Sequence, residues 1–160
     1  MSVWDCCAAS GGKSLLAYDI LNGKIELTVS DIRESILQNL KKRFAIAGIK
    51  NYTSFIADLS AALCPLPIAN CQLIICDAPC TGSGTWSRTP EQLYFFKEKT
   101  IDVYAAMQQK IVSRVIPFLQ PGGIFIYIPC SVFKKENEDM VHYIKEKFHL
   151  QLLQMELLTG

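Results

Sequence analysis

The sequence carries no surplus of charge of either sign: 16 Lys and Arg stand against 15 Asp and Glu, a formal net charge of +1. A protein held to nucleic acid by phosphate contacts alone would be basic, so any such binding here is local or assisted by other segments. No apolar run approaches the ~18 residues of a membrane span. Met1 to Cys7 also lack the basic start and long apolar stretch of a secretory signal, so a soluble, cytoplasmic protein with no membrane partner is expected. Repeats, low-complexity tracts and Gly/Ser/Pro linkers are missing as well, and residues 1–160 read as one domain. The two histidines, His142 and His149, sit in the last helical stretch and read as surface residues, poorly placed for a cysteine hydrolase. Seven cysteines, at 6, 7, 64, 71, 76, 80 and 130, are an odd number without C-x-x-C spacing, so neither a complete disulfide framework nor a metal site is expected. Cys64, Cys71 and Cys76 read as small buried hydrophobes.

What is present is half apolar and only 19% charged, enough burial to offset chain entropy. Short apolar runs alternate with segments of helical period. Val3 to Cys7, Lys24 to Val29, Tyr52 to Ile56, Gln72 to Cys76 and Ile124 to Ile128 read as strands, the last as a central parallel one. Helices are expected over Ser14 to Leu21 and along Ile32, Ile36, Leu37, Leu40 and Phe44, closed by Gly48. A long helix after Pro90 should carry Val103, Met107, Ile111, Val115 and Leu119 on one stripe and end at Pro121-Gly122-Gly123. Glu138 to Phe148 reads as a final helix with Val141, Ile144 and Phe148 inward, and Leu150 to Leu158 as a last strand. Such alternation predicts an α/β fold, a mostly parallel sheet with helices on both faces, whose ligands bind beyond the carboxyl ends of the strands.

The residues just after each apolar run carry the chemistry. The first strand opens into Asp5-Cys6-Cys7-Ala8-Ala9-Ser10-Gly11-Gly12-Lys13. Small residues let a ligand approach the backbone, the following helix offers free N–H groups to an anionic group, and Lys13 adds a point charge. A tight strand-to-helix turn that needs glycine for geometry alone explains this loop equally well. A phosphate-binding P-loop matches only Gly12-Lys13-Ser14, because its first glycine would fall at Cys7, and G-x-G-x-x-G is missing. Three further strands end in acids, Asp31, Asp58 and Asp77. One acid is commonly a helix cap; three together point to a shared ligand, with Asp31 suited to ribose hydroxyls and Asp58 to an adenine amino group. The fourth strand then runs into Asp77-Ala78-Pro79-Cys80-Thr81-Gly82-Ser83-Gly84-Thr85-Trp86 and the fifth into Pro129-Cys130-Ser131, followed by Glu136-Asn137-Glu138. Each places one cysteine beyond a strand, on the side where the ligand should lie.

With these residues the sequence resembles the Sun/Fmu-type, RsmB-like RNA (cytosine-5)-methyltransferases. DCCAASGGK is similar to their cofactor loop, DAPCTGSGTW to their proline-cysteine loop and IPCSVFKKENE to their second cysteine motif. Together with Asp31 and Asp58 these cover nearly the whole chain. Ser10 stands where the family usually has Pro, and Pro129 where it usually has Thr. The resemblance implies a Rossmann-like methyltransferase fold, here without its terminal strand, and a fragment of a longer protein. It implies S-adenosyl-L-methionine as cofactor, bound across Cys7, Ala8, Ala9, Ser10, Gly11, Gly12, Lys13, Asp31, Asp58 and Asp77. It implies RNA as partner, rRNA being the expected species.

Carbon 5 of cytosine is a poor nucleophile until a thiolate adds at carbon 6. The resemblance gives that attack to Cys130 and assistance in product release to Cys80. Trp86, Arg88, Tyr94 and Phe95 are candidates for the RNA side, although Tyr94 and Phe95 read first as helix packing. Lys134-Lys135 is the better phosphate candidate and Lys41-Lys42-Arg43 reads as a solvated helix face. A non-catalytic cofactor- or RNA-binding module of the same fold is the alternative. An amino-methyltransferase fits less well, since its strand-four loop has no cysteine nucleophile. An exposed sheet edge could pair two copies into a homodimer.

Overall fold

The computed structural model describes residues 1–61 and 66–156. Cys64, Leu157 and Leu158 therefore lie outside the described residues. Strands β1 (Ser2–Asp5), β2 (Glu26–Asp31), β3 (Tyr52–Ile56), β4 (Cys71–Cys76) and β5 (Leu119–Tyr127) form one sheet in the order β3-β2-β1-β4-β5, and every pairing is parallel. Parallel neighbours need crossovers. Helices α1 (Gly12–Ile20), α2 (Glu34–Ile46), α4 (Lys99–Val115) and α5 (Glu138–Phe148) supply cover on both faces, and the short α3 (Glu91–Phe95) precedes α4.

Side chains alternate across the sheet, so neighbouring residues serve different cores. Val3 of β1 packs with Leu27, Val29, Leu37, Leu40 and Phe44 under α2. Trp4, one residue on, packs with Ile74, Ile111, Val112, Val115, Met140 and Ile144 under α4 and α5. The order in which strands are added reverses between β1 and β4, which leaves a crevice at their carboxyl ends.

Three expectations need correction. The long helix after Pro90 is two helices, and α4 ends at Val115, because Pro117 forces a 3₁₀ turn over Ile116–Phe118. Leu119 and Pro121-Gly122-Gly123 belong instead to β5, where the register slips between Cys71 and Leu73; Gly122 takes φ +75°, and a Cβ on Gly123 would lie 2.9 Å from Gln120 O. The buried stripe of α4 is Gln108, Ile111, Val112 and Val115, while Val103 is exposed. Second, among the described residues β5 lies at an edge of the sheet rather than in its centre, and Ile124 and Ile126 are exposed. Third, residues 151–156 form no strand and expose Leu152, Leu153 and Met155. No described helix is long and apolar enough to cross a membrane.

Candidate active site

The loop after β1 is built by its neighbours. Ala8 N–H donates to Ser30 O (2.9 Å) and Ala9 N–H to Asp31 Oδ2 (2.9 Å), so the end of β2 positions the turn. Ser30 also accepts from Trp4 Nε1 (3.0 Å) and donates to Cys6 O (2.9 Å). Arg43 reaches from α2 to Ser10, donating to its carbonyl (2.8 Å) and its Oγ (3.1 Å). Arg43, exposed like Lys41 and Lys42 on the solvated face of α2, also clamps the loop at the position where the resembling family has proline. Gly11 caps α1 in the left-handed region (φ +82°), and no side chain caps the helix. The N–H groups of its first turn are therefore left for an anionic group. A Cβ on Gly12 would meet no atom within 4 Å, so open space faces the backbone there.

The three strand-end acids have different surroundings. Asp31 is buried and accepts from Arg33 N–H and Nε–H (2.9 Å each) and from a second guanidinium nitrogen (3.1 Å). Burial pushes its pKa up, but the bonds and charge of Arg33 and the Ala9 N–H outweigh that, and the net direction is down. Asp77, at the exit of β4, forms an ion pair with Lys13, which ties the loop after β1 to the loop after β4. Asp58 stands apart: its Oδ1 accepts from the Ser60 hydroxyl (2.6 Å), the Ser60 N–H (2.9 Å) and the Ala61 N–H (3.2 Å), a local turn that lowers its pKa. It is exposed, just after the Ala57 N–H that donates to Asp31 O (3.2 Å).

Cys80 and Cys130 come together from loops distant in sequence. Cys130 is exposed and Cys80 half-buried. Burial raises the Cys80 pKa, opposed by the backbone amides of Gly82 and Cys130. Gly84 N–H donates to Cys130 O (3.2 Å), and a Cβ on Gly84 would lie 3.4 Å from Cys130 Sγ, so glycine there lets the loops touch.

Beneath them lies a polar knot centred on Glu136, fully buried in the described structure. Its Oε1 accepts from Thr81 N–H (2.9 Å) and Gln108 Nε2 (3.1 Å), and its Oε2 from the Thr81 and Ser131 hydroxyls (2.6 Å each). Gln108 also donates to Pro79 O (2.9 Å), and Ser83 Oγ accepts from Val132 N–H (2.9 Å). Sequence reasoning missed Gln108 and assigned no role to Glu136. The available signal was a glutamine within the apolar stripe of α4, three residues before Ile111 and four before Val112.

Of the RNA-side candidates, Trp86 packs edge-on to Phe96 (4.9 Å) and to Phe133 (5.9 Å). Tyr94 and Phe95 are exposed on α3 rather than packed beneath it, and Arg88 is exposed too. Lys134 and Lys135 are engaged in surface ion pairs with Asp139 and Asp102. His142 and His149 are exposed, and Cys71 and Cys76 are buried, as the sequence predicts.

Asp5 adds a pH dependence. It is fully buried, accepts from Ser14 Oγ (2.6 Å) and leaves Oδ1 without a hydrogen bond. Burial, opposed by Ser14 and reinforced by Cys7 and Asp77, pushes its pKa up to about 7. The folded chain therefore keeps this proton to about neutrality, whereas the unfolded chain releases it near pH 4. The contribution to stability is complete below that lower value and is lost as pH rises through 7. In Asp5→Asn the loss of unfolding free energy between pH 5 and pH 8 should shrink by ~2–3 kcal/mol relative to the parent. Urea unfolding at both pH values measures it; equal pH slopes in the two proteins would contradict the assignment.

The comparisons with known proteins agree with this architecture. A family model described as 16S rRNA methyltransferase RsmB/F matches residues 1–159. The chain is 29% identical over 146 residues to ribosomal RNA small subunit methyltransferase F of Aeromonas salmonicida, covering 90% of this chain and 30% of that protein. It is 27% identical over 163 residues to the Mus musculus tRNA (cytosine(72)-C(5))-methyltransferase NSUN6, covering 95% and 34%. Among solved structures, that of PH0851 superposes with a TM-score of 0.84 at 28% identity over 91% of this chain and 33% of that one. The NSun6 structure from Pyrococcus horikoshii with SFG gives 0.79 at 25% identity, over 91% and 37%. The chain thus spans about a third of the length of these relatives. They give no support to the expected homodimer. The sheet order is that of the Rossmann-like methyltransferases, and with a family match running from residue 1 to residue 159, the chain belongs to the RsmB/F family of 16S rRNA methyltransferases.

Proposed function

We propose that this chain is the catalytic domain of an S-adenosylmethionine-dependent RNA (cytosine-5)-methyltransferase, with rRNA as its substrate class. The observation that carries the reading is the meeting of the Cys80 and Cys130 loops, where Gly84 N–H donates to Cys130 O (3.2 Å) and a Cβ on Gly84 would lie 3.4 Å from Cys130 Sγ. Relatives named as rRNA and tRNA methyltransferases support the substrate class. A relative's structure with SFG supports the cofactor class.

The residues fit the cofactor. Open space at Gly12 and the uncapped first turn of α1 suit an amino-acid carboxylate, and Asp31 suits ribose hydroxyls. Cys7, Ala8, Ala9, Ser10, Gly11 and Lys13 shape the loop, Asp58 marks the adenine end, and Asp77 orients Lys13. When bound, S-adenosylmethionine supplies an electrophilic methyl group.

Cys130, exposed at the mouth, is the nucleophile. Its thiolate adds to carbon 6 of an unpaired cytosine and pushes electron density to carbon 5. Once carbon 5 is methylated, a water molecule takes its proton, the electron pair of that C–H bond forms the carbon 5–carbon 6 double bond, and the Cys130 sulfur leaves as the thiolate. The Cys80 thiol beside the adduct gives its proton to the departing Cys130 sulfur and regains one from water. Trp86 and Arg88 line the RNA side.

Cys130→Ala should abolish both methylation and covalent adduct, whereas Cys80→Ala should accumulate a protein–RNA adduct on denaturing gels with labelled RNA. The full-length protein is the material to assay, with mass spectrometry reading 5-methylcytosine. An adduct in the first variant and none in the second would refute the assignment. Cofactor binding without methyl transfer by the full-length parent would favour the non-catalytic module.

A further inference from the structure

Three cysteines that the proposed mechanism does not use as reacting groups gather under the loop after β1. Cys6 and Cys7 follow β1 directly, and Cys76 is the last residue of β4. Parallel register pairs Asp5 with Ile75, and Cys6 N–H donates to Ile75 O (2.9 Å), so the next residues, Cys6 and Cys76, lie side by side. The three sulfurs all lie within 4.8 Å of one another. Cys6 and Cys76 are buried, whereas Cys7 is half-buried, which leaves the cluster one side open toward the crevice. No C-x-x-C spacing announces this set: two ligands are consecutive and the third is supplied by strand pairing.

Small buried hydrophobes are the ordinary explanation for buried cysteines. Here the surroundings favour a cation as well. Asp5, fully buried with an unpartnered Oδ1, interacts electrostatically with Cys7 and Cys76. Asp31 and Asp77 also act on Cys7, but Arg33 and Lys13 already neutralise them.

We propose that Cys6, Cys7 and Cys76 form a binding site for one soft, thiolate-preferring d10 cation of the zinc(II) or copper(I) kind. With metal–sulfur bonds of about 2.3 Å, three sulfurs around one ion stand roughly 3.8–4.0 Å apart. That spacing lies inside the observed limit, so the strands need not move. Each thiol releases its proton to solvent as the ion binds. Copper(I) is satisfied by three thiolates, while zinc(II) takes a fourth ligand from the open side next to Cys7. The ion would cross-link the ends of β1 and β4 directly below the loop that leads into α1. This inference stands independently of the methyltransferase reading.

The test is anaerobic titration of the reduced full chain, with cadmium(II) as the spectroscopic probe for the zinc class and copper(I) as the other arm. One equivalent per chain should bind, with a thiolate-to-metal charge-transfer band. Cys7→Ser and Cys76→Ser should each weaken binding about 100-fold in competition with a chelator, because one of three ligands is lost. Cys71→Ser, and Cys80→Ser with Cys130→Ser, should leave it unchanged. Circular dichroism of the metal-free variants reports folding; where Cys76→Ser fails to fold, the half-exposed Cys7→Ser decides. Failure to bind one equivalent, binding that survives Cys7→Ser, or binding that vanishes only with Cys80 and Cys130 would overturn the proposal.

Discussion

Glu136→Ala is expected to destabilise the chain by about 3–5 kcal/mol, because it removes the buried acceptor on which four donors converge. The Thr81 N–H, the Thr81 and Ser131 hydroxyls and the Gln108 amide all end on this one carboxylate. The loss is a large share of the 5–15 kcal/mol that typically separates folded from unfolded chains. Glu136→Gln keeps the volume but presents an N–H₂ to donors and should fall between the two. Urea unfolding gives the energies. Alkylation followed by mass spectrometry gives the geometry: Cys80, half-buried in the parent, should become as reactive as exposed Cys130. Should Glu136→Ala fail to fold, Ser131→Ala, which removes a single donor, should still speed alkylation of Cys80. Parent-like unfolding together with parent-like alkylation would show that the knot does not hold the loops.

Adjacent glycines should give opposite results. Gly11→Ala should cost about 2–4 kcal/mol, from a left-handed backbone that L-residues resist and a methyl driven into packed atoms. At φ +82° its Cβ would lie 2.9 Å from both Leu40 Cγ and Phe44 Cε1, side chains that are fully buried. Gly12→Ala meets nothing within 4 Å and lies in the first turn of α1, where alanine is the better helix former. Its stability should match or exceed the parent's by up to ~1 kcal/mol. Calorimetry should nevertheless show S-adenosylmethionine binding to Gly12→Ala weakened about tenfold or more, since the methyl occupies the space where a ligand meets the backbone. Unchanged affinity in a stable Gly12→Ala would remove the ligand-approach reading of the loop and leave a tight turn. Unchanged stability in Gly11→Ala would refute the packing account of α2 against the turn.

The contrast explains why the glycine pair was ambiguous in the sequence. Two letters alike in composition have different jobs, and only the position of Leu40 and Phe44 separates them. Arg43 gives the same lesson: beside Lys41 and Lys42 it reads as one of three solvated charges, yet it alone reaches Ser10. Asp31, Asp58 and Asp77 form a legible series at strand ends, but their partners, Arg33, Ser60 and Lys13, make one buried carboxylate, one turn cap and one bridge. The misplaced end of α4 has a local cause as well. Pro121-Gly122-Gly123 carries the marks of a helix stop, and the same residues make a bulge where β5 must bend along β4.

By itself the sequence determined the alternation of strands and helices, the loop after the first strand and the two proline-cysteine exits, because hydrophobic period and turn chemistry are local properties of the chain. The tertiary structure alone decided that β5 lies at an edge, that Glu136 and Gln108 lace the cysteine loops, and that Cys6, Cys7 and Cys76 share one buried corner. Those facts depend on which strand pairs with which and at what register, and pairing between distant segments is settled by burial of the whole sheet.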